Sequence, residues 1–283
     1  MNQKIGLIGL GNMGSAFLDK LIIENIPVGI WNRSIEKTEQ YKKNENVAIF
    51  SNVESLIEHS EIIFVIINGY DNVSQLFEKL ANIKNKIVIN FTTGSPQDAE
   101  QLSNVITKKN AHYFDGAIMN FPSQIATSEA LFILSGPVEQ FENIKPILNV
   151  FSQNIEIIEE GYSLPNTLDC AMTGGMYEVA IVSFLNTLAF GKKHGLPESF
   201  FTPFVDNFCH MLSIQMKKYI NEIEQQDFQN TEAFINSFAA SSAIFSRAFI
   251  ESGTPNMALK AVSDVINTEN STKSNLSLSA LYI

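Results

Sequence analysis

Through the first half of the chain, short apolar runs alternate with amphipathic stretches. Ile- and Val-rich runs at 4–8, 28–31, 47–49, 62–67 and 86–90 predict strands. Between them, 13–24, 35–43, 53–59, 72–81 and 96–108 place apolar residues at helical spacing. The runs Ile62-Ile-Phe-Val-Ile-Ile67 and Lys86-Ile-Val-Ile-Asn90 are almost unbroken, as expected of central parallel strands covered on both faces. Strand–helix alternation of this kind predicts a doubly wound, parallel α/β sheet of the Rossmann type. Further strands at 112–119, 131–134 and 155–158, with a helix at 139–150, extend the same sheet.

The pattern changes at Gly161. Strand signals cease and helices are predicted through 195 and over 200–224, 231–252 and 257–265. The Ser- and Asn-rich stretch 268–279 is expected to fray. The chain therefore reads as a nucleotide-binding Rossmann domain at 1–160 and an all-α domain at 161–283, entered by a long interdomain helix. Residues 170–190 carry one charge, Glu178, and are long enough to span a bilayer. They also hold Thr173, Gly174, Gly175, Ser183, Asn186 and Thr187, and behind a nucleotide fold they predict a helix buried between domains or subunits, hence a homodimer.

The first strand runs into Gly9-x-Gly11-x-x-Gly14 and a helix follows, with another strand about twenty residues on. In such a loop the first glycine permits a tight turn, the second admits the pyrophosphate, and the third lets helix and strand pack closely. The backbone from Gly9 through Leu10, Gly11, Asn12, Met13 and Gly14 is thus the expected phosphate cradle, at a helix N-terminus that favours anions. NAD-binding proteins usually carry an acid at the tip of the second strand, which holds the ribose hydroxyls. Here the tip reads Trp31-Asn32-Arg33-Ser34, with Lys37 beyond it. An amide, a guanidinium, a hydroxyl and an ammonium suit a 2′-phosphate, so the expected cofactor is NADPH. Asn68 and Asn90, at the ends of the fourth and fifth strands, are expected to border it.

Composition narrows the partners. The 283 residues include 19 Lys and Arg against 30 Asp and Glu, a net charge of −11, which disfavours nucleic acid and anionic membrane. Cys170 and Cys209 lie in no metal-ligand spacing, so no metal site is expected, and two lone thiols suit a reducing cytoplasm. The N-terminal segment has no secretory h-region with a cleavage site.

The combination of Gly9–Gly14, Trp31-Asn-Arg-Ser34, Asn90-Phe-Thr-Thr-Gly-Ser-Pro96, and Asp115-Gly-Ala-Ile-Met119 followed by Ser135-Gly-Pro137 resembles the imine reductases and reductive aminases. These are a branch of the β-hydroxyacid dehydrogenases. The resemblance implies NADPH-dependent reduction of an imine, or of the imine formed from an amine and a carbonyl compound, in an intertwined homodimer. The hydroxyacid members carry a Lys early in the long helix, where this chain has Asp169, and an Asn where it has Thr173. A carboxylate stabilises an iminium cation that an ammonium would repel. Asp169 is accordingly the expected catalytic acid, assisted by Tyr177, eight residues along the helix, and by Thr93 in the loop after the fifth strand. Two other readings stay open: a hydroxyacid dehydrogenase with altered machinery, and a non-catalytic NADP-binding protein. The physiological substrate is not legible.

Overall fold

In a computed structural model, residues 3–159 and 161–283 are described, and they divide into two compact units, one running to Gly174 and the other from Gly175 to Ile283. The first contains β1 (Ile5–Ile8), α1 (Asn12–Ile23), β2 (Val28–Trp31), β3 (Val47–Ile49), α2 (Val53–His59), β4 (Ile62–Val65), α3 (Tyr70–Lys79), β5 (Ile87–Asn90) and α4 (Pro96–Thr107). It continues with β6 (His112–Ile118), β7 (Leu131–Ser135), α5 (Val138–Leu148), β8 (Asn154–Ile158) and α6 (Leu164–Asp169). The eight strands form one sheet in the order β3-β2-β1-β4-β5-β6-β7-β8. All pairs are parallel except β6 with β7, where Asp115 faces Ser135 in antiparallel register.

Alternation along the strands sends side chains into two cores. Leu7, Phe64 and Ile89 join Phe17, Phe91, Phe132 and Phe151 on one face, whereas Ile8, Ile63, Val65 and Val88 join Phe77 and Tyr113 on the other. Phe17 on α1 stacks on Phe151 with ring centroids 4.1 Å apart, which ties the first helix to the last turn before β8. This packing holds the carboxyl ends of the parallel strands, where such folds bind ligands, as a rigid rim.

Residues 35–41 form a 3-10 helix rather than the expected α-helix. The boundary also differs from the sequence reading: residues 161–174 belong with the nucleotide unit. Pro165 and Asn166 are buried, and the Asn166 amide bonds to Tyr70 and Asp115, groups that lie far away in sequence.

The second unit holds α7 (Val179–Lys193), α8 (Thr202–Gln225), α9 (Ile235–Glu251) and α10 (Met257–Lys273). A π-helical stretch, Cys170–Glu178, connects α6 to α7. The unit's small core contains Ile235, Ala239, Ile266 and Ala280. The tail expected to fray is ordered: α10 continues to Lys273, and Ser277 and Ser279 donate hydrogen bonds to the buried Glu222 carboxylate. Leu164–Lys193 is long and apolar enough to cross a membrane by length and composition.

Candidate active site

Two clefts open along the carboxyl rim of the sheet, and both are lined by Gly11, Ile66, Ile67 and Asn68. They therefore form one trough. One end, of about 420 Å³, is lined by Leu10, Asn32, Arg33, Ser34, Lys37 and Lys79 among others. The other, of about 690 Å³, is lined by Asn12, Met13, Gly14, Thr92, Thr93, Asn166 and Asp169 among others.

The phosphate loop is shaped by missing side chains. Gly9 has φ +103°, and its N–H donates to the Trp31 carbonyl at 3.0 Å, which closes the turn onto β2. A Cβ on Gly14 would stand 2.1 Å from the Gly9 carbonyl oxygen, so helix and turn touch there. A Cβ on Gly11 would meet nothing within 4 Å. The open space over Gly11, beside the N-terminus of α1, has the form of an anion cradle.

At the cation-rich end, the Asn32 side chain braces the rim. Its Oδ1 accepts the Leu10 N–H at 2.9 Å and its Nδ2 donates to the Ser34 carbonyl at 2.8 Å. Asn32 therefore ties the β2 tip to the phosphate loop. Ser34 stands at the start of the 3-10 helix, yet its hydroxyl makes no capping bond. Arg33, Lys37 and Lys79 outnumber Glu54 as the charged residues lining this end. Lys79 escaped the sequence reading, because α3 is brought to the β2 tip only by the crossover of the sheet.

Among the described residues, Asp169 is the one ionisable residue lining the larger end, where it is half-buried. Thr93 lines the same space and is exposed. Its loop is set by a capping box at α4: the Ser95 N–H donates to Asp98 Oδ2 at 2.9 Å, and the Asp98 N–H donates to Ser95 Oγ at 3.2 Å. The Ser95 hydroxyl, which donates to Asp98 Oδ2 at 2.7 Å, and then the Ser95 N–H hold the Asp98 carboxyl below the usual carboxylate range. The neighbouring Thr92, missed from sequence, is 1% exposed, and its hydroxyl has no hydrogen-bond partner among the described residues. A buried orphan hydroxyl in a cleft wall fits a ligand group.

Two expectations are corrected. Asn90 does not border the trough. It is fully buried, donates to Tyr113 Oη at 3.2 Å and Asp115 Oδ1 at 3.3 Å, and accepts the Thr92 N–H at 3.3 Å. The last residue of β5 points inward, and it is the next turn that faces the cleft. Tyr177 belongs to the second unit while Asp169 belongs to the first, and π-helical backbone separates them, so the α-helical period used to place both on one face does not apply.

Behind the cleft lies a buried polar cluster that no local pattern along the chain assembles. Asp115 Oδ1 accepts from Tyr113 at 2.6 Å and from Tyr70 at 2.7 Å, and its Oδ2 accepts from Asn166 at 2.6 Å. Burial pushes the Asp115 carboxyl up to about 6, while its four neutral donors pull it down. Burial and the adjacent carboxylate raise the Tyr70 and Tyr113 hydroxyls above the usual tyrosine range.

Residues 4–159 match the family described as the NAD binding domain of 6-phosphogluconate dehydrogenase. The chain belongs to this family. Within it, an NADPH-dependent reductive aminase of Aspergillus oryzae is 26% identical over 195 residues, or 68% of this chain and 65% of that protein. The aligned segment thus spans slightly less than two thirds of that relative. Over the whole chain, the fold is that of an imine reductase from a Pseudomonas species (TM-score 0.94, 19% identity, covering 100% of this chain and 99% of that one). It is equally that of a reductive aminase from Aspergillus terreus, solved with NADPH and ethyl-5-oxohexanoate (TM-score 0.92, 18% identity, 99% and 98% covered). The dinucleotide-binding domain of this family accounts for the trough and its glycine loop.

Proposed function

We propose that the protein is an NADPH-dependent reductase of imines, acting on a preformed imine or on one formed from an amine and a carbonyl compound. The carrying observation is the segregation of charge along one trough: Arg33, Lys37 and Lys79 at one end, and Asp169 as the lone ionisable lining residue among the described residues at the other. The names of the relatives, an NADPH-dependent reductive aminase and an imine reductase, support the same reading.

The residues fit the cofactor. Arg33, Lys37 and the free Ser34 hydroxyl would hold a 2′-phosphate, for which guanidinium and ammonium groups are suited. The space over Gly11 would take the pyrophosphate, and the orphan Thr92 hydroxyl would bond to the nicotinamide half. NADPH supplies the hydride. Asp169 stabilises the cationic C=N group through its carboxylate and controls the proton on the nitrogen. Thr93 holds the substrate nitrogen or orients Asp169, and the resemblance to imine reductases gives Tyr177 the role of a hydrogen-bond donor to the substrate. The apolar remainder of the wall, with Ile66, Phe91 and Ile118, excludes water from the reacting carbon.

The active form is proposed to be a homodimer in the cytoplasm. In the second unit, Val182, Leu185, Phe208, Met211 and Ile214 are each more than half exposed on α7 and α8. An apolar surface of this extent marks an interface, and a second copy would cover it. Leu164–Lys193 is then an interface helix rather than a membrane span: its first turn packs into the nucleotide unit through Asn166. Two free thiols, Cys170 and Cys209, suit a reducing compartment.

The test compares wild type with Asp169→Ala on small cyclic imines, following the loss of nicotinamide absorbance, with NADP⁺ plus 3-hydroxy acids as the reverse assay. Imine turnover that drops roughly 100-fold or more in the variant, at unchanged NADPH affinity, is the expected result. Oxidation of hydroxy acids would instead return the chain to hydroxyacid chemistry. NADPH binding with no turnover of any imine or carbonyl compound would make it a binding protein.

A further inference from the structure

Beside the glycine loop 11–14, four further stretches of chain line the larger end of the trough: 66–69 after β4, 91–93 after β5, 116–118 in β6, and Asn166 with Asp169 in α6. All four are tied to the carboxylate of Asp115. Tyr70, one residue after the first stretch, donates to Oδ1 at 2.7 Å and Oδ2 at 3.0 Å. Asn90, two residues before Thr92, donates to Oδ1 at 3.3 Å while its own Oδ1 accepts the Thr92 N–H. Asn166, which also lines the cleft, donates to Oδ2 at 2.6 Å and to Tyr70 Oη at 2.6 Å, three residues before Asp169 on the same short helix. The third stretch begins at the residue after Asp115 itself. Asp115 and Asn90 are 0% exposed and Asn166 is 1% exposed.

Nothing in the fold alone requires a charge here. A buried carboxylate is costly unless its bonds are satisfied, and an apolar plug at the β5–β6 junction would pack the sheet without it. What the carboxylate provides is one acceptor with two oxygens that can gather donors from β5, β6, α3 and α6 at once. We propose that Asp115 is a positioning residue: through Tyr70, Asn90 and Asn166 it sets the Thr92–Thr93 turn and the start of the Asp169 helix against each other, and so fixes the geometry in which nicotinamide and substrate meet.

The inference rests on the proposed nicotinamide-dependent function, and its mark is a dependence on pH. Among the described residues the groups facing Asp115 are Tyr113 from β6, Tyr70 from α3, Asn90 from β5 and Asn166 from α6, all neutral; the Tyr162 ring packs 5.5 Å from that of Tyr113. Because the folded carboxyl titrates near 6, above its ordinary 3.8, the folded protein holds more protons than the unfolded chain between those values. Stability contributed by this group is therefore full at the acid end and lost as pH rises through about 6. Its gathering role runs the other way, being complete only when the carboxylate is ionised.

The experiment uses the full-length protein, with NADP⁺ binding, imine turnover and thermal melting measured from pH 5 to 8 (roughly the span of an Asp raised to this degree) for wild type, Asp115→Asn and Tyr70→Phe. Expected for Asp115→Asn is a loss of about tenfold in kcat/KM at neutral pH, as for a buried hydrogen bond or two. Its melting temperature relative to wild type rises with pH through the Asp115 range. Tyr70→Phe keeps the carboxylate but removes a donor that lowers its titration, so the inflection in kcat/KM moves to higher pH; this variant decides the matter if Asp115→Asn does not fold. Variants that bind and turn over as wild type, with no moved inflection, overturn the positioning role. A wild type that fails to bind NADP⁺ or NADPH overturns the underlying functional reading instead.

Discussion

Two glycines of the phosphate loop, three residues apart, make opposite predictions under the same substitution. A methyl group on Gly14 would sit 2.1 Å from the Gly9 carbonyl oxygen and 3.0 Å from its carbon. Reaching ordinary contact at 3.4 Å requires an opening of at least 1.3 Å (3.4 less 2.1), and the obstacle is backbone that cannot rotate aside. Overpacking of this kind costs about 1–3 kcal/mol. At roughly 2–4 °C per kcal/mol for a larger domain, Gly14→Ala should lower the melting temperature by roughly 2–12 °C. Gly11 has extended backbone, φ −76° and ψ −173°, and a Cβ there faces open space. Gly11→Ala should change stability by no more than about 0.5 kcal/mol, as for surface substitutions. Its methyl group instead occupies the cradle between the two ends of the trough. NADPH should bind at least about tenfold more weakly, which removes about 1.4 kcal/mol of ligand-induced stabilisation at fixed NADPH. Thermal melts with and without NADPH, joined to a fluorescence titration, measure both quantities. Wild-type affinity in Gly11→Ala would show that the pyrophosphate does not lie over Gly11. An unchanged melt in Gly14→Ala would mean that the turn and helix are not in contact as described.

Other outcomes follow from the ends of the trough and the apolar face. Arg33→Ala should weaken NADPH by about tenfold to a hundredfold, the worth of a charge-assisted bidentate contact, and leave NADH nearly unaffected; equal losses for both cofactors in parallel titrations would remove Arg33 from the 2′-phosphate site. Light scattering of wild type should give twice the mass of one chain. A Leu185→Asp, Phe208→Asp double variant, altering side chains that are both 59% exposed, should shift it towards the single-chain mass, and a wild-type monomer would remove the dimer proposal.

The parts legible in the sequence are those governed by local rules. Val and Ile runs at 62–65 and 87–90 announced central strands, because a strand covered on both faces has no polar side to show. Glycine spacing announced the tight turn between β1 and α1, because the absence of a Cβ is a property of single residues. The missing acid at the β2 tip was readable for the same reason. Other features needed the folded chain. A strand's period is two in either direction, so nothing local marked β7 as antiparallel. The seven residues from Ile35 could begin a helix of either pitch, and a stretch that short is decided by what its ends are tied to.

The site divides along the same line. Asp169 and Thr93, which both line the trough, were singled out because each stands in a motif, whereas Thr92, beside Thr93, is distinguished only by the burial of an unpartnered hydroxyl. Asn90 looked like a cofactor ligand at a strand end until the pleat turned it inward. The Asp115 cluster joins residues as far apart as Tyr70 and Asn166. Sequence by itself determined a nucleotide-binding Rossmann unit and the glycine turn between its first strand and helix, since each follows from the chemistry of a residue and its near neighbours. Only tertiary structure decided which carboxylate is buried, which amide braces and which faces the cleft, because burial and hydrogen bonding depend on chain segments that meet only when the sheet is assembled.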